Sequence, residues 1–410
     1  MGGCAAQTAS TDELPPLTEV IERADRAWKT QPTVHATVRE WQHFARSVRA
    51  GERALARQEA LFKKAAVAGS GAFGGVSSSE FAILTGSATG PAPETRESVR
   101  GIWRAPGLLR LESGATDERT LLVQNGSDRL TLTSDVGAIT ESRPSDPDDA
   151  AGYDEETHDE TLGLPIYAAG LDQTFDSKLV GAERILGRLA AVVRAIPKTD
   201  RDPFAEFPTS FGTFDEPEEM ELAIDVETGL VLRREDRVDG EPYARAEVTE
   251  LELDVVAPAE TFSVLPPEGV AVHTQADLEP KELSFTAAAA AVPFTLWAPP
   301  DAARGNQVTV WPEALGPQRV HLTTGFESEP REVQTIAEQA ADLAPNIASD
   351  VPPGFTRRTV QRDGIAFDVL ERSGAVNVTF VRDGTQIAIG GDNAETLIDA
   401  GLALRPVPRP

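Results

Sequence analysis

The chain has 410 residues, a length typical of about two or three domains. Its formal net charge of −28 repels phosphate backbones, so nucleic acid is a poor partner. One cysteine permits no internal disulfide, and no run of about 18 apolar residues is present that would span a bilayer.

Residues 1–16 are predicted to be an N-terminal tether. Cys4 follows two glycines and precedes two alanines and a polar stretch. This pattern resembles the lipobox that ends a bacterial lipoprotein signal peptide, although the apolar segment expected before it is absent. We therefore expect lipidation at Cys4, which would anchor the protein to a membrane; the alternative is an incidental cysteine.

The next elements are predicted to be an amphipathic helix at residues 17–29, a strand at 33–44 and an inserted helix at 45–66. One face of the inserted helix is basic and contains Arg46, Arg49, Arg53, Arg57, Lys63 and Lys64. That face either lies on an anionic bilayer or is simply solvated. Residues 69–93 are predicted to be a flexible linker, because their G-x-G-x-x-G spacing follows a helix and not a strand.

Four strands are predicted between residues 98 and 133. Two occupy residues 98–112, and two occupy 119–133 on either side of Asn125-Gly126, a favourable hairpin turn. Residues 144–160 form an acidic loop, and 162–170 are predicted to form a short helix.

Residues 176–270 are predicted to form an antiparallel meander. The stretch alternates between apolar and polar residues, and a turn signal at residues 225–230 separates two of its strands. It ends at Pro266-Pro267. An antiparallel sheet of this kind must bury its apolar face against another layer.

The meander also carries a resemblance to a known family. The residues that carry it are "GAERILGR" at 181–188, "DVETGLVLRR" at 225–234, Asp239-Gly240, the ending at 262–270, and "GIWRAPGLLRLE" at 101–112. They resemble the LolA/LolB-like superfamily of bacterial envelope proteins, which includes sigma-factor regulators. The resemblance implies an α+β domain at residues 17–272, built as an incomplete antiparallel β-barrel, or half-barrel, with helices in its mouth. Insertions at about residues 45–93 and 198–218 depart from the family pattern.

A smaller α+β domain is predicted at residues 281–410. It begins with an Ala-rich helix at 285–292, followed by short strands at 307–311 and 319–324. Residues 355–404 are predicted to form three strands, separated by turns at 362–364 and 382–384, and a final helix. This order resembles a small domain appended to LolA-like lipoproteins.

Candidate catalytic and metal-binding groups are sparse. His35 and His43 share one predicted strand but lie about 26 Å apart, too far to share a metal ion. The acidic residues 146–160 lack the spacing of a calcium loop, and no G-x-S-x-G motif exists. We therefore expect no metal, no cofactor and no enzymatic activity.

An apolar half-barrel cavity would bind an acyl chain through buried area, at about 0.8 kcal/mol per CH₂ group. The leading hypothesis is an envelope lipoprotein, anchored on the extracytoplasmic side of a membrane, that carries, accepts or senses a lipid or lipoprotein acyl chain. The candidate lining residues are Trp28, Trp41, Phe44, Trp103, Leu109 and Leu122, each of which could equally be ordinary core. The alternative is a regulatory or scaffold lipoprotein that binds another envelope protein, such as an anti-sigma factor.

Overall fold

The computed structural model describes two compact units, one within residues 7–272 and one within 273–410. The described ranges are 7–8, 14–30, 33–51, 53–54, 57, 94–105, 107–115, 118–126, 128–133, 137–142, 166–168, 170–199, 217–300, 307–312, 319–323, 333–342, 356–372 and 375–410. Cys4, the linker at 69–93 and the acidic loop at 146–160 lie outside these ranges.

The first unit is built around one 13-stranded sheet. Its strands are β1 (Gln7–Thr8), β2 (Val34–His43), β3 (Thr95–Ala105), β4 (Leu108–Ala115), β5 (Glu118–Asn125), β6 (Asp128–Thr133), β7 (Gly137–Ser142), β8 (Phe175–Ile185), β9 (Arg188–Pro197), β10 (Glu219–Asp225), β11 (Val231–Val238), β12 (Glu241–Leu253) and β13 (Val272–Thr274). Their order is β1-β8-β9-β10-β11-β12-β2-β3-β4-β5-β6-β7-β13. The sheet is therefore open, with β1 and β13 at opposite ends.

The described part of the first unit contains few helices. The two longer ones are α1 (Leu17–Thr30) and α2, which is helical at residues 44–51, 53, 54 and 57. A single turn, α3 (Leu171–Thr174), leads into β8, and a 3₁₀ turn (Ala259–Phe262) follows β12. The described part of this unit is thus mostly β, and strands β8 to β12 confirm the meander predicted at 176–270.

One face of the sheet is covered by α1. Val20, Ile21 and Ala24 of the helix pack in one cluster with Val193 and Leu222 of the sheet. We call this side the α1 face. Strand β2 continues the alternation, because Val34, Ala36 and Val38 are buried while the residues between them are partly exposed.

The face of the sheet opposite the α1 face is charged over some strands and apolar over others. Over β9 to β12 it carries ion pairs, such as Arg233 with Glu221 at 2.8 Å and Arg245 with Glu247 at 2.8 Å. Over β5 to β7 it is apolar, and Phe262 of the segment after β12 packs there with Val123 and Leu130. An antiparallel sheet can have a charged, solvated surface over some strands and a packed apolar surface over others.

The second unit contains an 8-stranded sheet of order β14-β16-β17-β18-β22-β21-β20-β19 and a separate pair, β15-β23. The strands are β14 (Lys281–Ser284), β15 (Trp297–Ala298), β16 (Gln307–Trp311), β17 (Arg319–Thr323), β18 (Val333–Ala340), β19 (Thr356–Arg362), β20 (Ile365–Arg372), β21 (Ala375–Arg382), β22 (Thr385–Gly391) and β23 (Arg405–Pro406). The helices are α4 (Gln275–Leu278), α5 (Phe285–Ala291) and α6 (Ala394–Ala403). Residues of α5 and α6 pack with the sheet in one core.

Several local predictions need correction. Strands β7, β13 and β18 were not predicted, and residues 355–391 form four strands where three were expected. Both predicted turns in that stretch are confirmed: Asp363-Gly364 and Asp383-Gly384 have positive φ angles at both positions, as a type I′ hairpin requires. The additional strand boundary lies between the end of β20 at Arg372 and the start of β21 at Ala375.

Candidate functional site

An aliphatic ladder crosses the α1 face. Direct cross-strand pairing joins Leu251 to Ala36, Ala36 to Ile102, Ile102 to Leu111, and Leu111 to Leu122. We call these five residues the apolar ladder. All five belong to one apolar cluster, in which Ile102 is fully buried and Leu122 is 7% exposed. Paired residues of an antiparallel sheet share a face, so the ladder is one continuous aliphatic surface.

A short segment covers part of this surface. Ile166 is 1% exposed and Tyr167 packs beside it, and both contact the same cluster as the ladder. The segment is tied to the sheet, because Val231 donates its backbone N–H to the Ile166 carbonyl at 2.8 Å. The ring of Tyr167 also lies 5.6 Å from the guanidinium carbon of Arg104.

Helix α1 is fixed beside the same segment. Asp25 accepts the backbone N–H of Gly170 at 3.0 Å, and burial raises the pKa of this carboxyl group while that hydrogen bond lowers it. Gly229, in the turn between β10 and β11, touches the helix backbone so closely that a Cβ would lie 2.3 Å from the Arg23 carbonyl oxygen. Only a glycine fits this contact, because its φ is also +80°.

Charged side chains are buried at another part of the α1 face. Arg234 and Glu40 lie on either side of Ala246 in the strand register and are 6% and 9% exposed. Arg234 contacts the fully buried Asp236 at 2.9 Å, and Glu40 contacts Arg100 at 3.1 Å. The face is therefore aliphatic along the ladder and ionic beside it.

These buried charges were not predicted, although the sequence contains a signal for them. In "VLRREDRV" at residues 231–238, Arg234 and Asp236 occupy the same alternating positions as Leu232 and Val238. A strand that buries Leu232 and Val238 must turn both charges toward the same side.

The structure does not bring the six predicted lining residues onto one surface. Leu109 and Leu122 are buried on the α1 face. Trp103 lies on the opposite face, where its ring stacks on His35 with a centroid distance of 3.9 Å, and Trp41 shares that face by alternation along β2. The face of the sheet on which each of these side chains lies is decided by strand pairing and not by whether the residue is aromatic. The ligand-binding role of these residues remains a prediction.

Two of the six are placed differently. Phe44 begins α2 and is half-buried, and its backbone N–H donates to the Glu94 carbonyl at 3.1 Å. Trp28 belongs to α1, but its side chain lies outside the described part of the chain.

The four described arginines of the basic face of α2 contact carboxylates of the sheet and its turns, whereas Lys63 and Lys64 lie outside the described ranges. Arg46 contacts Glu241 at 3.0 Å, and Arg53 contacts Asp239 at 3.0 Å, both carboxylates being in or next to the β11–β12 turn. Arg49 and Arg57 make longer contacts with Asp239 and Glu218. Beneath these pairs Ala50 packs on Tyr243. The described arginines thus hold α2 to the sheet.

No group of His, Cys, Asp and Glu that could hold a metal ion occurs among the described residues. His35 and His43 lie on β2, as predicted, where they contact Glu252 at 2.8 Å and Glu94 at 3.8 Å respectively. None of the helices in the described ranges combines the length and apolar character that crossing a bilayer requires.

Several solved structures are similar to this chain. The MucA/MucB complex from Pseudomonas aeruginosa is 15% identical over 95% of this chain and 99% of that chain, with a TM-score of 0.32. A LolA superfamily protein from Nitrosomonas europaea is 10% identical over 60% of this chain and 96% of its own, with a TM-score of 0.23. A putative outer membrane lipoprotein-sorting domain from Vibrio parahaemolyticus is 8% identical over 60% and 94%, with a TM-score of 0.21.

A LolA superfamily protein is thus among the structures to which this chain is similar, in agreement with the resemblance in the sequence. The low identities and TM-scores of these matches carry no argument about the fold or the function of this chain. No family model matches the chain, and no curated protein matches it.

Proposed function

We propose that this protein binds a lipid or a lipoprotein acyl chain against the apolar ladder and acts as a carrier, acceptor or sensor in the cell envelope. The observation that supports the proposal is the uninterrupted aliphatic surface from Leu251 to Leu122, covered among described residues by the short segment at Ile166 and Tyr167. An acyl chain that displaces this cover exchanges one set of apolar contacts for another.

In this proposal the open sheet curves into a half-barrel with α1 at its mouth. A chain of about sixteen carbons would gain on the order of 10 kcal/mol from burial before the costs of binding. The proposed binding role needs no reacting group, and the proposal assigns the protein no enzymatic activity. Acylation of Cys4 would fix it to the membrane on the extracytoplasmic side and make it a stationary acceptor or sensor.

Neighbouring residues of β5 provide a matched test. Leu122 belongs to the apolar ladder, whereas Leu121 packs on the opposite face. Leu122→Gln places an amide without a designed partner in the proposed site, at a cost of about 1–3 kcal/mol. We expect delipidated full-length Leu122→Gln to take up a fluorescent fatty acid about tenfold more weakly than wild type, since 1.4 kcal/mol is a tenfold change.

Leu121→Gln is the control and should bind within about twofold of the wild type. Both variants must keep the wild-type circular dichroism spectrum. Equal loss in the two variants, or no uptake by the wild type, would contradict the proposal. Native mass spectrometry of protein extracted from its own membranes would report both a co-purified lipid and acylation of Cys4.

A second candidate function is a regulatory or scaffold lipoprotein that binds another envelope protein, such as an anti-sigma factor. The observation that favours it is a pair of large apolar side chains on the segment after β12: Val256 is 94% exposed and Leu265 is 78% exposed. Val256→Asp with Leu265→Asp should abolish co-purification of such a partner while leaving fatty-acid uptake unchanged. A partner retained by the double variant would exclude this surface.

A further inference from the structure

One acidic side chain among the described residues of the second unit, Glu338, lies inside its apolar core. Glu338 of β18 is 3% exposed and is paired in the strand register with Val320 on one side and Ile387 on the other, both buried. Its carboxylate oxygen Oε2 accepts the backbone N–H of Trp297 at 2.9 Å. Buried acids are normally paired with a cation, but among the described residues the hydrogen-bond partner of Glu338 is a backbone amide.

The amide that Glu338 holds belongs to a strap, which we define as residues 292–298. Four of its large apolar side chains are buried, namely Val292, Phe294, Leu296 and Trp297. The strap has a second polar contact with the sheet, in which the Thr385 hydroxyl donates to the Thr295 carbonyl at 2.7 Å. Glu338 and Thr385 are therefore two buried ties between the strap and the sheet.

The strap in turn holds the C-terminal residues. Trp297 and Ala298 form the β15–β23 pair with Pro406 and Arg405. Val407 donates its N–H to the Leu296 carbonyl at 2.8 Å. Arg409 donates to the carbonyls of Val292 and Phe294 at 3.2 and 3.0 Å. A change at Glu338 therefore reaches both the strap and residues 405–410.

The described charged groups on the neighbouring elements contact residues other than Glu338. Arg382 lies over the Trp297 ring, 4.0 Å from its centroid. On α6, Glu395 and Asp399 are paired with Arg362, and α5 carries no charged residue. Arg319 and His321 flank Val320 and so face the other side of the sheet.

Burial raises the pKa of Glu338 to about 8, and the hydrogen bond from Trp297 opposes that rise. The carboxyl group is consequently uncharged in the closed structure over most of the neutral range. Ionisation would leave a carboxylate in an apolar core, and the favourable response is for the strap to open and admit water.

We propose that Glu338 is a proton-operated latch, which holds the strap and the C-terminal residues against the sheet while its carboxyl group is uncharged and releases them when it ionises. Release uncovers Val292, Phe294, Leu296 and Trp297 together. The second unit thereby gains an apolar surface that is hidden in acid and available at alkaline pH.

The direction of the pH effect follows from linkage. The pKa of Glu338 is raised in the closed state above its ordinary value of 4.5, so the latch is at full strength below that pH. Its contribution is lost as the pH rises toward about 8. Within this window the opening equilibrium increases by up to about tenfold for each pH unit.

Hydrogen exchange of the full chain tests the latch directly, because the Trp297 amide is itself the donor to Glu338. Exchange is followed by mass spectrometry at pH 5 to pH 9 and corrected for the intrinsic pH dependence of amide exchange. In the wild type we expect the open population, measured on peptides covering the strap and residues 405–410, to rise about 100-fold or more between pH 5 and pH 8.

Three variants make the result decisive. Glu338→Gln should remove the rise in open population between pH 5 and pH 8, which we call the pH step. Glu282→Gln, at an exposed position of β14, should keep this step. Thr385→Val weakens the second tie and should raise the open population at every pH while keeping the step in place. This variant also tests the latch if Glu338→Gln fails to fold. A flat wild-type profile, or a step that persists in Glu338→Gln, would overturn the proposal.

Discussion

Two buried carboxylates, one in each unit, show how differently the chain handles buried charge. Asp236 of the first unit is 0% exposed and lies 2.9 Å from the guanidinium group of Arg234. Glu338 of the second unit is 3% exposed and accepts a backbone N–H within an apolar core. Both carboxyl groups are buried, but Arg234 offsets the cost of burying Asp236. No cation among the described residues does the same for Glu338, whose pKa is raised by burial, so the stability around Glu338 depends on pH.

The largest expected effect comes from removing the cation of the first unit. Arg234→Met leaves Asp236 buried without this counter-charge, which should lower the free energy of unfolding by about 3–5 kcal/mol. Urea unfolding of the full chain, followed by hydrogen exchange on peptides from β10 to β12, would measure the loss. Arg245→Met removes a pair whose side chains are about 40% exposed and should cost less than about 1 kcal/mol. Equal losses in the two variants would remove the distinction between the regions.

The second unit should respond to pH instead. Because the pKa of Glu338 is raised, the unfolding free energy of the second unit should fall by about 2 kcal/mol between pH 5 and pH 7. Denaturant unfolding at several pH values, followed by exchange on peptides from β18 and β22, would show this dependence. In Glu338→Gln the same peptides should unfold at nearly the same denaturant concentration at both pH values.

A smaller effect is expected at the contact between α1 and the β10–β11 turn. Gly229→Ala introduces a Cβ that overlaps the Arg23 backbone at a φ of +80°, and should destabilise the first unit by about 2 kcal/mol. Gly240→Ala has a similar φ of +77° but no atom within 4 Å of the new Cβ. Thermal unfolding of the two variants therefore separates backbone strain from the steric contact, and Gly240→Ala should lose only about half as much.

The smallest effect is expected where ion pairs are exposed. The side chain of Arg53 is 54% exposed and contacts Asp239 and Glu218. Arg53→Ala should cost less than about 1 kcal/mol, and the cost should shrink in high salt because these charges are screened. A salt-independent loss of several kcal/mol would show that α2 is held in another way.

The local elements were largely predictable from the sequence because their signals are local. The amphipathic pattern of residues 17–29 predicts α1, and the Asp-Gly pairs at 363–364 and 383–384 predict two hairpin turns. The meander follows from alternation, as its strands confirm. Each of these features is decided by residues only a few positions apart.

Strand β18 was missed for a reason that explains its chemistry. Within "TIAEQA" at residues 335–340, Glu338 stands at a position where alternation from Ile336 requires an apolar residue. The charge interrupts the pattern of a buried strand, so the sequence gives little sign of one. The residue that interrupts the pattern is the same acid whose hydrogen bond, among described residues, comes from the Trp297 backbone.

The aromatic residues predicted to line a ligand site show a second limit. Trp41 and Trp103 are large and apolar, which makes them candidates for any pocket. The cross-strand register places them on one face of the sheet and Leu109 and Leu122 on the other. A shift of one residue in register would reverse every side chain, and no local pattern reports it.

The sequence by itself determined the elements, their turns and an antiparallel β architecture, because those depend on backbone preference and short-range periodicity. Only the tertiary structure decided which face each side chain occupies, which arginines of α2 meet acids of the sheet, and which buried carboxylate has a cation beside it. These outcomes depend on residues far apart in the chain, such as Arg46 and Glu241 or Trp297 and Glu338, and it is folding that brings them together.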